Sequence, residues 1–272
     1  MTVQTQAPLA TITWQGREVA IEYRWVNEAA RHAGRPLMVF LHEGLGSVAM
    51  WKDFPHTLCL ACGLPGLVYS RPGYGRSTPR LPSERWSSDF MHRQAQEVLP
   101  ALLDHLGVSQ PVVLFGHSDG GSIALLFAAS HPDRVAATVV AAPHLFVAEV
   151  SVSSIEQARV AYASGALQQK LAPYHQDTDS AFWGWCGAWL SPAFRHWNIE
   201  AEVSAIRSPI LAIQGENDEY GTMKQIRKIA ELAPQTRLVE LADCGHSPHR
   251  DQLNLLVSNV STFLEQHLGD LV

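Results

Sequence analysis

Residues 111–124, P-V-V-L-F-G-H-S-D-G-G-S-I-A, place a serine between a run of β-formers and a run of helix formers. The segment V-V-L-F at 112–115 has no polar alternation, which is typical of a strand buried on both faces of a parallel sheet. Gly116 and Gly120 flank Ser118 in a G-x-S-x-G pattern. A serine on so sharp a turn has strained backbone angles and tolerates only small residues two positions away. The stretch therefore predicts a strand, a turn that presents Ser118, and a helix whose first amides can stabilise negative charge.

Strand-like and helix-like patterns alternate through most of the rest of the chain. Buried-strand patterns occupy residues 36–41, 67–70, 135–142, 209–213 and 237–241, and helical patterns occupy residues 51–61, 86–106, 121–130, 223–232 and 248–267. Residues 11–14 and 19–26 alternate apolar with polar side chains and predict a leading antiparallel hairpin. Strands that alternate with helices form a parallel sheet covered by helices. The predicted fold class is α/β, with a doubly wound, mostly parallel sheet.

The regular alternation stops between residues 144 and 207. This segment is mostly helical in pattern and is rich in tryptophan, with Trp183, Trp185 and Trp189 close together. Because it follows the end of a strand, it predicts a helical cap of residues 144–207 inserted into a core of residues 1–143 and 208–272. The three tryptophans are candidate substrate-binding residues, and packing within the cap is the alternative for each of them.

Three polar residues come directly after predicted strands, at the edge where the functional loops of such sheets lie. They are Ser118, Asp218 and His246. A serine hydroxyl becomes an effective nucleophile when an imidazole takes its proton and a carboxylate orients that imidazole. We therefore interpret these three as candidate catalytic residues. Glu216 and Glu219 share a turn with Asp218 and compete with it for the role of acid, and a core or surface position is the alternative for His246.

The turn at residues 116–120 around Ser118, here called the elbow, resembles the nucleophile elbow of the α/β-hydrolase superfamily. The chain order of serine, aspartate and histidine resembles the same superfamily, and the resemblance covers essentially the whole chain. The resemblance is to the branch with a serine nucleophile and a helical cap. It favours Asp218 as the acid, because Asp218 stands in the G-x-x-D pattern that relatives carry. Haloalkane dehalogenases and epoxide hydrolases share the fold but have an aspartate as nucleophile, so Ser118 argues against both classes.

The resemblance also implies an oxyanion hole formed by the backbone amides of Asp119 and Gly44. The sequence departs from the family's H-G-x motif at Glu43, which occupies the usual first glycine. Glu43 is therefore a candidate substrate-binding residue, and a solvent-facing or ion-paired side chain is the alternative. We expect His42 to be structural.

The function implied is hydrolysis of a small-molecule carboxylic ester or lactone through an acyl-serine intermediate, with no cofactor. One alternative is a hydrolase that cleaves a carbon–carbon bond in a ring-fission dienoate. A second alternative, from a different class, is a small-molecule receptor on a hydrolase fold. The ester is favoured because its leaving group needs only protonation, whereas a dienoate also needs groups that bind its carboxylate.

Charge and composition argue against several other functions. The formal net charge is −6 and the chain has no lysine or arginine cluster, so nucleic acid is not an expected partner. The first ten residues lack a leader pattern and no run of about 18 apolar residues follows, so we expect a cytoplasmic protein without a membrane partner. No metal is expected, because the histidines near the site lack H-E-x-x-H spacing. The expected assembly is a monomer or homodimer.

Overall fold

The computed structural model describes residues 7–269, apart from the side chains of residues 32 and 33. Residues 1–6 and 270–272, which the sequence analysis assigns to the core, lie outside the described residues. The expectation of a cytoplasmic location rests partly on the first ten residues, and residues 1–6 of these lie outside the described part of the chain.

Eight strands form one sheet in the order β1-β2-β4-β3-β5-β6-β7-β8. Their bounds are β1 Leu9–Trp14, β2 Arg17–Val26, β3 Met38–Leu41, β4 Gly66–Tyr69, β5 Val112–His117, β6 Val135–Ala141, β7 Ile210–Gly215 and β8 Thr236–Leu241. The pairs β1–β2 and β2–β4 are antiparallel, and every neighbouring pair from β4 through β3, β5, β6 and β7 to β8 is parallel. The predicted mostly parallel sheet is confirmed.

The leading hairpin is also confirmed. β1 and β2 pair antiparallel around Gln15 and Gly16. These two residues have φ angles of 51° and 73°. Positive φ at both central positions is what a two-residue turn between twisted strands requires.

Eleven α-helices occur among the described residues. They are α1 Phe54–Cys62, α2 Phe90–Arg93, α3 Leu99–His105, α4 Asp119–Ser130, α5 Glu149–Ala163, α6 Ala166–Leu171, α7 Thr178–Trp189, α8 Glu200–Ser204, α9 Lys224–Leu232, α10 Pro248–Asp251 and α11 Leu253–Leu268. None of the helices in residues 7–269 is long and apolar enough to cross a membrane.

Helices cover both faces of the sheet, as a doubly wound fold requires. Val39 and Leu41 in β3 face a core shared with α3, α4 and α9, whereas Met38 and Phe40 face a core shared with α1 and α11. Successive side chains of a strand point to opposite faces, so a strand between two helical layers must be apolar throughout. This explains the absence of polar alternation in the central strands.

Two predicted helices differ from the structure. The helix predicted over 86–106 begins at Phe90 and is interrupted by a π-helical turn at Gln94–Val98 before α3. Pro100 stands at the start of α3 and has no amide proton for the preceding turn, which accounts for the irregular hydrogen bonding there. The helix predicted over 248–267 is divided into α10 and α11 at Gln252, whose φ of −136° and ψ of 48° are not helical.

Between β6 and β7 the described chain contains α5 to α8 and a 3₁₀ turn at Pro192–His196. Strand-like pairing among the described residues of this segment is limited to an isolated bridge between Phe146 and Asn198. The segment is therefore helical, as the sequence pattern predicts. Its division from the core as a separate cap stays a prediction.

Gly120, in the first turn of α4, has no room for a side chain. A Cβ at this position would lie 2.0 Å from the carbonyl oxygen of Leu41 in β3. We therefore expect Gly120→Ala to push the elbow away from β3 and to destabilise the fold by about 2 kcal/mol or more. Urea denaturation measures this loss.

The matched control is Gly187→Ala in α7, where an added Cβ meets nothing within 4 Å. That substitution should stabilise the fold by about 0.5–1 kcal/mol, because alanine favours a helix interior. Equal stability of Gly120→Ala and the wild type would show that the close approach to β3 is not required.

Candidate active site

Ser118 lies between β5 and α4 with φ 53° and ψ −121°, a backbone conformation that residues other than glycine rarely adopt. The turn closes tightly, since a Cβ on Gly116 would lie 2.3 Å from the carbonyl oxygen of Gly120. The amides of Gly121 and Ser122 donate to the Ser118 carbonyl at 2.8 and 3.1 Å and begin the helix. The geometry is that of the predicted elbow, and it directs the serine side chain beyond the end of the strand.

Ser118, His246 and Asp218 form one hydrogen-bonded chain. The Oγ of Ser118 lies 2.9 Å from Nε2 of His246, and Nδ1 of His246 lies 2.8 Å from Oδ1 of Asp218. Because an ionised carboxylate only accepts, the Nδ1 proton is donated to Asp218 and Nε2 is left to accept from the serine hydroxyl. This is the tautomer that a base acting on Ser118 requires.

The Asp218 carboxylate is almost fully enclosed, with a side chain 1% exposed. Its oxygens accept hydrogen bonds from the amides of Tyr220 and Gly221 and from the side chain of Gln214. Burial alone would raise the pKa of Asp218, but the hydrogen bond and charge of His246 and the Tyr220 amide hold it below the usual value. Asp218 is therefore ionised at neutral pH.

The two competing acids have other positions. Glu219 accepts from the backbone amide of His246 at 3.1 Å and makes no hydrogen bond to the imidazole ring. Glu216 is exposed. Of the three carboxylates in this turn, Asp218 is the one that contacts the ring.

Gly44 follows β3 and lies against the helical segment. A Cβ on Gly44 would come within 2.2 Å of Nε1 of Trp185 in α7, so only glycine fits. The hydrogen bonds of residues 7–269 include none in which the amide of Gly44 or of Asp119 donates to a protein acceptor. Both amides therefore keep their capacity to bind an oxyanion.

Arg71 holds the loop that carries Gly44. Its side chain is 1% exposed, donates through Nη1 to the carbonyl of His42, and donates through Nη2 to the carbonyl of Glu43 at 3.0 Å. The backbone amide of Arg71 donates to Nε2 of His42 at 3.1 Å, and Nδ1 of His42 donates to the Glu43 carbonyl at 2.7 Å. Burial and the charge of Arg71 lower the pKa of His42 well below its usual value. His42 is thus a neutral ring with both nitrogens occupied by backbone groups.

Glu43 turns toward the elbow rather than away from the protein. Its side chain is 18% exposed, with Oε2 3.6 Å from Nδ1 of His117 and Oε1 4.0 Å from Arg250. Burial alone would raise the pKa of Glu43, but the contact with the His117 ring and the charge that this ring carries when protonated hold it below the usual range. His117 also donates through Nε2 to the carbonyl of His246 at 2.7 Å. One imidazole therefore contacts both the Gly44 loop and the His246 loop.

The Asp119 side chain is 1% exposed and its Oδ1 accepts from Nε1 of Trp189 at 3.1 Å. Burial raises the pKa of Asp119 to about 6, against the opposing effects of the Arg71 charge and the Trp189 hydrogen bond. Trp189 also packs edge-on against the ring of His144, with centroids 4.9 Å apart. Trp189 thus contacts the elbow from the helical segment.

A cavity of about 240 Å³ opens above Ser118. The residues that line it are Glu43, Gly44, Leu45, His117, Ser118, Trp185, Glu219, Tyr220, His246, Ser247 and Arg250. Of the three candidate substrate-binding tryptophans, Trp185 is the one in this lining. Trp183 is 39% exposed and packs edge-on against Tyr162 and Phe182, so its position gives no support for substrate contact.

The sequence analysis missed two residues at the site. Arg71 follows β4, and no sequence signal marks it as buried. His144 was taken as the first residue of the cap, yet its Nε2 lies 3.4 Å from Oγ of Ser118. Its place just after β6, at the sheet edge that also carries Ser118 and His246, is the signal that could have found it.

No group of three or more His, Cys, Asp or Glu side chains in the described part of the chain is placed to hold a metal ion.

A family model described as "Alpha/beta hydrolase family" matches residues 38–256, which run from β3 to the first turn of α11 and include all the site residues named above. The chain belongs to the alpha/beta hydrolase family.

Two curated relatives align over most of their length. The pimeloyl-(acyl-carrier protein) methyl ester esterase of Aromatoleum aromaticum is 28% identical over 83% of this chain and 98% of its own. RutD of Pseudomonas savastanoi pv. phaseolicola, whose name provisionally describes a carbamate hydrolase, is 28% identical over 80% of this chain and 89% of its own. The enol-lactonase from Burkholderia xenovorans LB400 superposes with a TM-score of 0.74 and 23% identity, covering 94% of this chain and 99% of that one. This last likeness shows the fold.

Glu43→Gln is expected to lower the free energy of unfolding by about 1–3 kcal/mol at pH 7, because it removes the charge that faces His117. The pKa of Glu43 in the folded protein lies below the unfolded value of about 4.3, so this stabilisation is complete above that pH and is lost as the pH falls below it. The difference between wild type and variant should therefore shrink between pH 7 and about pH 3.5. Urea denaturation at both pH values measures it.

Glu156→Gln is the control, since Glu156 is exposed on α5 and forms no ion pair within residues 7–269. It should change stability little at either pH. A Glu43→Gln effect that stays constant with pH would contradict a stabilising charge at this position.

Proposed function

We propose that the protein is a serine hydrolase that cleaves a small-molecule carboxylic ester or lactone through an acyl-serine intermediate. The observation that carries the proposal is the hydrogen-bonded chain from Ser118 through His246 to Asp218, with its serine facing a cavity. In the first step, Oγ of Ser118 attacks the substrate carbonyl carbon while its proton passes to Nε2 of His246. The amides of Gly44 and Asp119 stabilise the oxyanion that forms.

The tetrahedral intermediate collapses when the bond to the leaving oxygen breaks and His246 returns the proton to that oxygen. Water then attacks the acyl-serine, His246 takes its proton, and the second intermediate releases the acid and the Ser118 hydroxyl. Throughout both halves Asp218 stays ionised and stabilises the charged imidazole. The reaction needs no redox group and no activated co-substrate.

Shared chemistry among the relatives' names supports this substrate class. An ester, a lactone and a carbamate each present a carbonyl carbon bonded to a heteroatom that leaves after protonation by an imidazole. These three substrate classes are the ones named for the relatives described above. For this chain they support attack on such a carbonyl rather than one particular substrate.

Carbon–carbon cleavage of a dienoate ranks second because it demands cationic groups for the substrate carboxylate. Among the described residues that line the cavity, Arg250 is the sole arginine or lysine, and its side chain is 51% exposed and faces Glu43. Arg71 is buried and donates to the carbonyls of His42 and Glu43. The cavity therefore offers a dienoate carboxylate little positive charge.

We also propose that residues 144–207 act as a cap over the site. Trp185 lines the cavity, Trp189 donates to Asp119, and Nε2 of His175 donates to the carbonyl of Leu45 at 2.9 Å. Three separate contacts thus join this segment to the elbow and to the Gly44 loop. They support a role in shaping the substrate cavity.

Steady-state kinetics on one preparation tests the proposed reaction with p-nitrophenyl esters of short and medium acyl chains, a lactone and a ring-fission dienoate. We expect turnover of an ester or lactone, and a loss of about 10⁴-fold or more in kcat for Ser118→Ala. Asp218→Asn should be strongly impaired. Glu219→Gln should retain most activity, because the Glu219 side chain bonds to the backbone amide of His246 and not to its ring.

Other outcomes would change the assignment. A dienoate kcat/KM far above every ester and lactone value would make carbon–carbon cleavage the reaction. Binding of small molecules without turnover of any of the three classes would favour the receptor. Near-normal activity of Ser118→Ala would remove this serine from the mechanism.

Trp185→Ala should change the ranking of acyl chain lengths, because the indole lines the cavity and enlarging that wall alters which acyl group fits. The matched control is Trp183→Ala on the same helix, where the ring is 39% exposed. The measurement is kcat/KM for a series of p-nitrophenyl esters from C2 to C8. An equal change for every ester, or the same change in both variants, would assign Trp185 to packing.

A further inference from the structure

A second imidazole contacts the reacting atom of the site. Nε2 of His144 lies 3.4 Å from Oγ of Ser118, and Nε2 of His246 lies 2.9 Å from the same oxygen. The centroids of the two rings are 6.1 Å apart. The separation is long for a hydrogen bond, as contacts in unliganded sites often are before substrate binds. His144 is only 2% exposed and is not required by the chemistry described above.

The backbone of His144 is fixed to the elbow helix. Ser122, one turn after Ser118 in α4, accepts from the His144 amide at 3.0 Å and donates to the His144 carbonyl at 2.7 Å. Trp189 packs edge-on against the ring. Backbone and ring are therefore both held, which places Nε2 beside Oγ.

The surroundings determine where the His144 proton resides. Nδ1 is buried and has no hydrogen-bond partner among the described residues. A buried N–H without an acceptor is costlier and rarer than a buried lone pair without a donor. The proton therefore belongs on Nε2, which then points it at Ser118. Since Ser118 gives its own proton to His246, its oxygen is free to accept.

His144 is neutral at neutral pH. Burial lowers the pKa of His144 to about 3, and the charges of His246 and His117 act in the same direction against the opposing charge of Asp218. A neutral ring can donate through Nε2 without repelling the imidazolium that forms on His246 during the reaction. It also cannot compete with His246 for the serine proton once Nε2 carries a hydrogen.

We propose that His144 is a further catalytic residue, whose Nε2–H donates to Oγ of Ser118 and stabilises the negative charge that develops on this oxygen. The inference rests on the proposed function. In the attack, the Oγ–H proton passes to His246, the Oγ–C bond forms, and His144 keeps its own proton. In the second half the C–Oγ bond breaks, its electron pair returns to Oγ, and His246 protonates that oxygen. His144 stabilises Oγ at both points and forms no covalent bond.

The test compares His144→Phe, which keeps a flat ring without a donor, with His144→Gln, which keeps an N–H donor. A fluorophosphonate reports Ser118 reactivity without dependence on any particular substrate. We expect His144→Phe to slow phosphonylation and the pre-steady-state acylation by p-nitrophenyl acetate by about 10- to 100-fold, with little change in KM. His144→Gln should recover part of the rate. The acidic limb of the pH profile should be the same in wild type and His144→Gln, because His144 takes up no proton there.

Ser122→Ala provides a second variant, in which the imidazole is intact and only its backbone anchor is lost. We expect an intermediate loss of phosphonylation rate, and thermal denaturation checks that each variant is folded. Wild-type rates in a folded His144→Phe variant would overturn the inference while leaving the proposed function intact. An acidic limb that moves in His144→Gln would also overturn it, because the ring would then be titrating. A wild type that neither reacts with the phosphonate nor turns over any ester or lactone would defeat the proposed function, and this inference with it.

Discussion

The positive φ of Ser118 is the constraint on which the rest of the site depends. It is sustained by crowding, because Gly116 and Gly120 bring β5, α4 and the end of β3 closer together than any side chain would permit. Such a conformation destabilises the folded chain by on the order of 1–3 kcal/mol, and the packing of central strands buried on both faces offsets this strain. In return the chain turns from strand to helix in one residue, so the serine oxygen and the first helical amides face the same space.

Buried polar groups fix the loops around that serine. Arg71 binds the carbonyls of the Gly44 loop, and His117 contacts that loop through Glu43 and the His246 loop through a carbonyl. The side chains of Arg71 and His117 are both buried away from water. In such an environment hydrogen bonds are strong and an unpaired polar group is costly. A site assembled from four strand ends needs such cross-links, because each loop reaches it from a different strand.

Patterns that arise from local steric and burial requirements made most of the fold predictable. The G-x-S-x-G turn and the uniformly apolar strands reflect such requirements, whereas the chain order of Ser118, Asp218 and His246 contributed through the resemblance to the family. The sheet and family expected from them are confirmed. Long-range side-chain placement was not predictable. Nothing in the sequence distinguishes the buried Trp185 from the half-exposed Trp183 two residues earlier, or marks Arg71 as buried. The π-helical turn before Pro100 depends on hydrogen bonding that a helical pattern does not resolve.

The contacts of α7 with Gly44 and Asp119 have a consequence for the timing of catalysis. Trp185 lies against the first of these residues and Trp189 donates to the side chain of the second, and both residues carry amides that we propose bind the oxyanion. A displacement of α7 would therefore loosen both positions at once. If substrate enters by such a displacement, entry and bond breaking occur in separate conformations, and the rate at which this helix closes is then an upper limit on turnover.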